Sequence, residues 1–203
     1  PEIFQALTSG PKDIRVTIPE GWRREQIAAR LASALPNFDT AEFLASTATL
    51  EGQLFPDTYL LPPSATVSQI IDIFRANFTK KSGLQLPAQR EALILASLVE
   101  REAKSDPDRA TIAGIFQKRL QAGWPLQVDA SVQYALGTSR DWWPKNIDTK
   151  YPSDYNTYLH PGLPPAPIAS PGLASIQAIL SPQDSPFWYY LTGTDGQTYY
   201  ARN

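Results

Sequence analysis

Cysteine and methionine are absent from this 203-residue chain, and histidine occurs once, as His160. Without cysteine the protein can form no disulfide, no thiolate zinc site and no cysteine nucleophile. A single histidine excludes a metal site built from several histidines, so we expect no bound metal. The chain has no phosphate-binding or dinucleotide-binding glycine pattern, and no lysine lies in a setting that indicates pyridoxal phosphate. We therefore expect no cofactor.

Long apolar runs and blocks of like charge are missing as well. No stretch is long and apolar enough to cross a bilayer, and no signal peptide is visible. The net charge is −2, and nothing in its distribution indicates binding to nucleic acid or to an anionic membrane surface. Because the chain begins at Pro1 and lacks Met, we interpret it as a mature or excised fragment from which a targeting or anchoring segment could have been removed.

The pattern of apolar residues predicts an α+β fold in two parts. Residues 14–18 alternate as in a strand and residues 22–35 show helical periodicity, which together indicate a small α/β module over residues 1–48. Residues 49–203 predict a mainly helical domain with short strands and a C-terminal hairpin. Helices of this domain are expected at 66–78, 87–104, 106–123 and 170–179.

The predicted helix 87–104 carries the most informative pattern. Its helical wheel places Glu100 between Leu93 and Ala96, within apolar territory, and Glu102 on the other flank. A carboxyl group beside apolar side chains has a raised pKa, and a carboxyl that stays protonated near neutral pH can serve as a general acid. Since the two glutamates point apart, we expect one acid from this helix. The alternative is that either glutamate is solvated or paired with a basic neighbour.

Two later segments present polar side chains that suit sugar hydroxyl and N-acetyl groups. In segment 124–137, Gln127 and Asp129 alternate with apolar residues, and an extended backbone would place both on one face. Segment 154–172 combines amide, hydroxyl and phenol groups with prolines that stiffen its backbone. Its candidate binding residues are Tyr155, Asn156, Thr157 and Tyr158. The alternatives are a plain polar strand face for the first segment and a polyproline II ligand for the second.

The whole stretch 124–172 lacks regular periodicity and is too long for an ordinary connection, so we expect it to be functional. Trp142 and Trp143 could stack on sugar rings, although adjacent tryptophans more often lie in a core or a lid. His160 has no neighbouring serine or cysteine that indicates a nucleophile, so we expect no catalytic role for it.

Four long motifs, in this order and spacing, resemble those of the YceG-like (MltG) family of endolytic murein transglycosylases. They are EGQLFPDTYLL at 51–61, LASLVEREA at 95–103, IFQKRLQAGWPLQVDASVQYALG at 115–137 and YNTYLHPGLPPAPIASPG at 155–172. The resemblance extends from about Glu51 to the C-terminal hairpin, which makes 49–203 a YceG-like catalytic domain. The IPEGW segment and the helix after it resemble the family's LysM-like module, so residues 1–48 would be a partial copy of that module.

This resemblance implies a lytic transglycosylase, which is a carbon–oxygen lyase. Such an enzyme cleaves the MurNAc–GlcNAc β-1,4 bond within nascent peptidoglycan strands and leaves 1,6-anhydroMurNAc ends. The family's catalytic glutamate lies in the LVEREA motif and matches Glu100, which would act first as general acid and then as base. The expected substrate-binding residues are Gln127, Asp129, Ser131, Tyr155, Asn156, Thr157 and Tyr158.

The resemblance also implies a location and partners. A single N-terminal transmembrane anchor, absent from this chain, would hold the catalytic part at the extracytoplasmic face of the bacterial plasma membrane. Glycan strands would be the substrate, and cell-wall synthases are further expected partners.

The chain departs from the family pattern at four positions. Asp154 lies where proline or another small residue is common before YNTY, Ala166 replaces a usual glycine, and Ser131 replaces a usual threonine. Thr198 lies near the position of a usual histidine, which leaves the role of the hairpin open. A different reading is a non-catalytic peptidoglycan-binding scaffold of the cell-wall synthesis machinery. Such a scaffold would bind strands without producing anhydro ends.

Overall fold

The computed structural model describes residues 12–193 and 195–203. Within these ranges lie seven helices and four short strands, paired as two antiparallel ribbons, so the predicted α+β class is confirmed. The helices are α1 (Arg24–Ala34), α2 (Thr40–Ser46), α3 (Val67–Ser82), α4 (Arg90–Glu102), α5 (Asp106–Gln121), α6 (Asp129–Leu136) and α7 (Leu173–Leu180). The strands are β1 (Ile14–Thr17), β2 (Thr58–Leu61), β3 (Tyr189–Thr192) and β4 (Thr198–Ala201). None of the helices in the described ranges combines the length and apolar character that crossing a membrane requires.

The first part of the chain is built on the ribbon of β1 and β2, in which Ile14 lies opposite Leu61. Helices α1, α2 and α3 pack beside this ribbon over one apolar core. That core runs from Val16 to Phe74 and therefore continues past residue 48. The LysM-like assignment and the boundary between residues 48 and 49 stay predictions, and residues 1–11 of the predicted module lie outside the described residues.

The second part of the chain is organised around α4. This helix packs against α5, α6 and α7, and residues 93–99 are all buried. The enclosure agrees with the helical wheel, on which apolar residues occupy most of the circumference. Ser97 is the polar exception within the buried run. Its hydroxyl donates to the carbonyl of Ile94 at 2.7 Å and accepts from the amide of Ile168 at 3.0 Å, so the group remains hydrogen-bonded inside the core.

Several element boundaries differ from the sequence-based expectation. Helix α4 begins at Arg90 rather than at Pro87. The helix expected over 106–123 is α5, which ends at Gln121, and its N-cap is Ser105, whose hydroxyl accepts from the amide of Asp108 at 3.3 Å. The hairpin is present as predicted, with Tyr190 opposite Tyr200, and it packs against α5 through Phe116.

The predicted extended segment around Gln127 and Asp129 was also wrong in part, because Asp129 begins helix α6. The start of this helix is fixed from outside by Thr157, whose hydroxyl accepts from the amide of Val128 at 2.9 Å. Val128 and Thr157 are 29 positions apart in the sequence, so their contact leaves no trace in the local pattern. The alternation of polar and apolar residues therefore favoured a strand. The change of structure nevertheless keeps Gln127 and Asp129 on the same wall of the molecule.

Candidate functional site

A cavity of about 350 Å³ lies where the end of α4 meets the start of α6 and strand β3. Its walls combine carboxyl, guanidinium, amide, phenol and hydroxyl groups. The lining residues are Glu102, Arg119, Gln127, Asp129, Tyr158, Tyr189, Tyr190, Leu191 and Thr192. Four other cavities in the described part of the chain have at most one carboxyl group each among their lining residues. The cavity at the end of α4, called here the Glu102 cavity, has two, Glu102 and Asp129, and is therefore the candidate site for acid–base chemistry.

Glu102 is the last residue of α4, and its carboxyl group is turned toward the hairpin. The hydroxyl of Tyr190 donates to its Oε2 atom at 3.2 Å. The pKa of Glu102 is raised to about 7, chiefly by burial and also by the charge of Asp129. The hydrogen bonds from Tyr190 and from the Ala130 backbone and the charge of Arg101 act in the opposite direction. A carboxyl group with this pKa can carry a proton at neutral pH and release it in a reaction, as general acid–base catalysis requires.

Asp129 and Tyr158 form the opposite side of the cavity. The hydroxyl of Tyr158 donates to Oδ1 of Asp129 at 2.5 Å. Burial raises the pKa of Tyr158, and the hydrogen bond to Asp129 raises it further, so the phenol keeps its proton and remains a donor. This contact joins the loop 154–158 to the first residue of α6 and fixes a carboxyl group next to the Glu102 cavity.

Gln127 has a backbone conformation that few non-glycine residues adopt. Its φ angle is +53°, in the left-handed region, where a residue with a Cβ costs about 1–3 kcal/mol relative to ordinary regions. The conformation is held by a hydrogen bond from the amide of Gln127 to the carbonyl of Thr157 at 3.1 Å. Such strain is typical of sites where the position of one side chain matters, and here it places an amide group at the cavity wall.

Ser131, Asn156 and Thr157 are buried beneath the cavity and do not line it. The hydroxyls of Ser131 and Thr157 lie 3.0 Å apart and together hold the start of α6. The amide group of Asn156 donates to two backbone carbonyls of its own loop, and its oxygen accepts from the amide of Tyr158 at 2.9 Å. These three predicted binding residues therefore shape the walls that carry Gln127, Asp129 and Tyr158.

Tyr155 is the predicted binding residue that lies elsewhere. Its ring packs 4.9 Å from that of Tyr134, whose hydroxyl donates to Glu51 at 3.2 Å. Trp142 and Trp143 lie in the same region of the molecule, where Arg23 lies 5.0 Å from the Trp142 ring and Arg101 lies 3.9 Å from the Trp143 ring. All three residues are thus engaged in packing, and none of them is among the residues that line the Glu102 cavity.

Glu100 faces a different direction from Glu102. Its Oε2 atom accepts hydrogen bonds from the backbone amide of Gly172 at 2.9 Å and from the hydroxyl of Ser175 at 2.7 Å. Its Oε1 atom lies 4.0 Å from the guanidinium group of Arg109. The side chain of Glu100 is 7% exposed. Partial burial and the nearby charge of Glu100 raise the pKa of Glu20. The carboxyl group of Glu100 is therefore hydrogen-bonded on one oxygen and lies near a cation on the other, whereas the helical wheel led us to expect an apolar setting.

The structure does not bring Glu100 together with the predicted sugar-binding residues. Three of these, Gln127, Asp129 and Tyr158, line the cavity of Glu102, and Glu100 is not among the residues that line it. The catalytic assignment of Glu100 stays a prediction that gains no support from its neighbours. The helical wheel did contain a signal for Glu102, which also lies on an apolar flank, but its basic neighbours favoured a simple ion pair.

The remaining cavity residues had no such signal in the sequence. Arg119 reads as an ordinary basic residue near the end of a helix, and Tyr189 to Thr192 read as a hairpin strand. In the described ranges, no group of three or more histidine, cysteine, aspartate or glutamate side chains is arranged to hold a metal ion.

The profile of the YceG-like family matches residues 1–203. The chain belongs to the YceG-like family. This membership confirms the resemblance carried by the four motifs, and the LVEREA motif of this YceG-like chain supplies both Glu100 and Glu102.

Two curated relatives carry the name endolytic murein transglycosylase. The protein from Streptococcus pneumoniae (strain ATCC BAA-255 / R6) is 32% identical over 93% of this chain and 42% of its own length. The protein from Bacillus subtilis (strain 168) is 32% identical over 98% of this chain and 65% of its own length. The chain thus spans less than two thirds of either relative.

A solved structure has the same fold. The crystal structure of a yceG-like protein from Listeria monocytogenes superposes with a TM-score of 0.78 and is 29% identical in sequence. The match covers 93% of this chain and 73% of that protein. The arrangement of helices and strand ribbons described above is therefore that of the YceG-like fold.

Proposed function

We propose that this chain is the catalytic part of an endolytic peptidoglycan lytic transglycosylase in which Glu102 is the general acid. The observation that supports this most strongly is a carboxyl group with a pKa of about 7 in a cavity lined by amide, carboxyl and phenol groups. The names of the two relatives support the reaction class. The substrate bond would be the MurNAc–GlcNAc β-1,4 bond of nascent glycan strands.

The reaction needs one group that first gives and then takes a proton. Protonated Glu102 donates its proton to the glycosidic oxygen as the bond from that oxygen to C1 of MurNAc breaks. Positive charge then develops on C1 and the ring oxygen. The Glu102 carboxylate takes the proton of the MurNAc C6 hydroxyl while the C6 oxygen bonds to C1, which closes the 1,6-anhydro ring and regenerates the acid. No water is consumed, because C1 exchanges its bond to the glycosidic oxygen for a bond to the C6 oxygen of the same sugar.

Other residues of the cavity support this chemistry. The carboxyl group of Asp129, held by Tyr158, is placed to stabilise the positive charge that develops on the sugar ring. The amide of Gln127 can donate to and accept from an N-acetyl group. Arg119 supports the walls, because it donates to the carbonyls of Leu126 at 2.6 Å and Trp188 at 2.9 Å.

Glu100 has a structural role in this proposal. Its carboxyl group binds the first turn of α7 through Gly172 and Ser175 and so fastens α4 to α7. The resemblance matched the family's catalytic glutamate to Glu100, but the LVEREA motif carries a second glutamate, Glu102, only two positions further on. The residues that gather around Glu102 favour Glu102.

The product of the reaction tests the proposal. We would incubate the purified chain with peptidoglycan strands and identify the new chain ends by mass spectrometry. Anhydro ends, which are one water lighter than reducing ends, would support the proposal if Glu102→Gln, checked for its fold by circular dichroism, does not form them. Reducing ends would indicate a hydrolase. Binding of strands without any new ends would favour the alternative of a non-catalytic scaffold.

The setting of the enzyme is part of the proposal. We place it at the extracytoplasmic face of the plasma membrane because murein, the polymer in the relatives' name, lies outside that membrane. An anchor would lie in a segment outside this chain. Association with cell-wall synthases stays a prediction.

A further inference from the structure

Three aromatic residues form an exposed surface beside the Glu102 cavity. Trp124 is 42% exposed and Tyr189 is 40% exposed. The Trp124 ring centroid lies 4.7 Å from that of Trp188 and 6.3 Å from that of Tyr189. Trp124, Trp188 and Tyr189 together are called the aromatic shelf below.

The aromatic shelf is continuous with the candidate active site. Tyr189 belongs to the shelf and also lines the Glu102 cavity. Beneath it lies Arg119, which is 4% exposed, places its guanidinium carbon 5.4 Å from the Tyr189 ring centroid and also lines the cavity. A ligand that fills the cavity and extends along this wall would therefore pass over the shelf.

The backbone holds the shelf in place before any ligand arrives. Helix α5 ends at Gln121, and Gly123, with a φ angle of +70°, reverses the chain so that the amide of Trp124 donates to the carbonyl of Arg119 at 2.8 Å. The carbonyl of Trp188 accepts from the side chain of the same arginine. These bonds hold the backbone of the shelf, and its rings pack on one another, so little conformational entropy is lost when a ligand binds.

We propose that the aromatic shelf is a subsite that binds a sugar ring of the glycan strand next to the bond cleaved at Glu102. This inference rests on the proposed function and names a further part of its substrate contact. A glycan strand is longer than the cavity, so rings on either side of the cleaved bond must leave it, and Tyr189 lies on one such exit. The face of a pyranose ring that carries C–H groups can stack on an aromatic ring, and Trp124 is 42% exposed beside the cavity residue Tyr189.

Binding can be measured without turnover in the Glu102→Gln background. The probe is glycan strands freed of their stem peptides, titrated by isothermal calorimetry. Trp124→Ala should weaken binding about two- to ten-fold, as expected for the loss of one stacking contact. Trp124→Phe should restore most of the affinity. The matched control is Tyr199→Ala, which removes a ring that is 54% exposed on the same hairpin but does not line the cavity, and this variant should bind like the parent.

Three results would overturn the subsite. They are unchanged affinity of Trp124→Ala, equal weakening by Tyr199→Ala, and a parent that does not bind peptide-free strands at all. Anhydro-end formation is measured in parallel with the same substitutions on the active protein. Cleavage by the unsubstituted chain together with unchanged binding of Trp124→Ala would remove the shelf and leave the lyase proposal intact. Weakened binding of Trp124→Ala without any cleavage by the unsubstituted chain would keep the shelf as a glycan-binding surface and remove the lyase proposal.

Discussion

The two glutamates at the end of α4 lie two positions apart and have the same chemistry, yet they face different surroundings. Glu100 accepts two hydrogen bonds from the first turn of α7 and lies near Arg109. Glu102 lies at the wall of a cavity, where burial and the charge of Asp129 raise its pKa to about 7. Both are shielded from water, so burial alone does not distinguish a structural from a catalytic carboxyl group. The two carboxyl groups are distinguished by the side chains and backbone groups that face them.

A third buried carboxyl group supports this comparison. Burial raises the pKa of Glu51 to about 7 as well, but its two oxygens accept from the amide of Arg24 at the start of α1 and one also accepts from Tyr134. The carboxyl group of Glu51 is thus occupied by the helix that it caps. Glu51 also lines a cavity, of about 320 Å³, but no second carboxyl group lies in the wall of that cavity. A raised pKa indicates acid–base chemistry where a further carboxyl group and phenol groups line the same cavity, as they do at Glu102.

The largest expected difference between the two faces of α4 is in turnover. Glu102→Gln should lower the rate of anhydro-end formation by about a hundredfold to ten-thousandfold, because it removes the proton donor. Glu100→Gln should lower it by less than about tenfold, since an amide oxygen can still accept from Gly172 and Ser175. Both rates are measured by mass spectrometry of chain ends under identical conditions. The opposite ranking would return the catalytic role to Glu100.

Asp129→Asn should cost about tenfold to a hundredfold in rate, because a negative charge that stabilises the developing positive charge is lost. The same change removes a charge that raises the pKa of Glu102. The alkaline limb of the pH–rate profile should therefore move to lower pH. Asp184→Asn, a change at an exposed position outside the cavity, is the control and should alter neither quantity. A shift of the limb to higher pH would contradict the role given to Asp129.

The free energy of unfolding should depend on pH through the carboxyl group of Glu102. Because the pKa of Glu102 is about 7 in the folded protein, above the ordinary value of 4.5, the folded state binds more protons than the unfolded state between these values. Its contribution to stability is full below the unfolded pKa and is lost as pH rises through the folded pKa.

The free energy of unfolding of the unsubstituted chain should therefore decrease between pH 5 and pH 8 because of Glu102. In Glu102→Gln this decrease should be smaller by on the order of 2 kcal/mol. Urea denaturation at the two pH values measures this fall. Glu51→Gln should show the same sign, since the pKa of Glu51 is also raised to about 7. An unchanged pH dependence in Glu102→Gln would mean that Glu102 is not held in a dehydrated setting.

Tyr190→Phe should have the smallest effect on rate, below about tenfold, because the ring stays and only one hydrogen bond to Glu102 is lost. That hydrogen bond lowers the pKa of Glu102, so its removal should move the alkaline limb of the profile to higher pH. The shift is opposite in sign to that of Asp129→Asn. Profiles that move in the same direction in both variants would show that the limb belongs to another group.

Much of this molecule could be predicted without coordinates. The periodicity of residues 87–104 predicted a helix enclosed on most sides, and residues 93–99 are all buried in α4. The motifs around Gln127 and around Tyr158 were predicted to act together, and both reach the same cavity. Local pattern depends on residues close together in the chain, and motif order depends only on the order of residues along it. Both can therefore be read from the sequence alone.

Other features could not be predicted, because each depends on residues far apart in the chain. Asp129 starts a helix since Thr157 holds the preceding amide, and Asn156 is buried since it ties its own loop together. Tyr190 reaches Glu102 across 88 positions. No window of sequence contains both members of such a contact.

The sequence by itself determined the family, the α+β class and the presence of two carboxyl groups on the apolar flanks of one helix. Only the tertiary structure decided which of them meets a cavity. The physical reason is that the rest of that cavity comes from α5, α6, the loop 154–158 and β3, and the setting of a carboxyl group is made by what packs against it rather than by its place on the helical wheel.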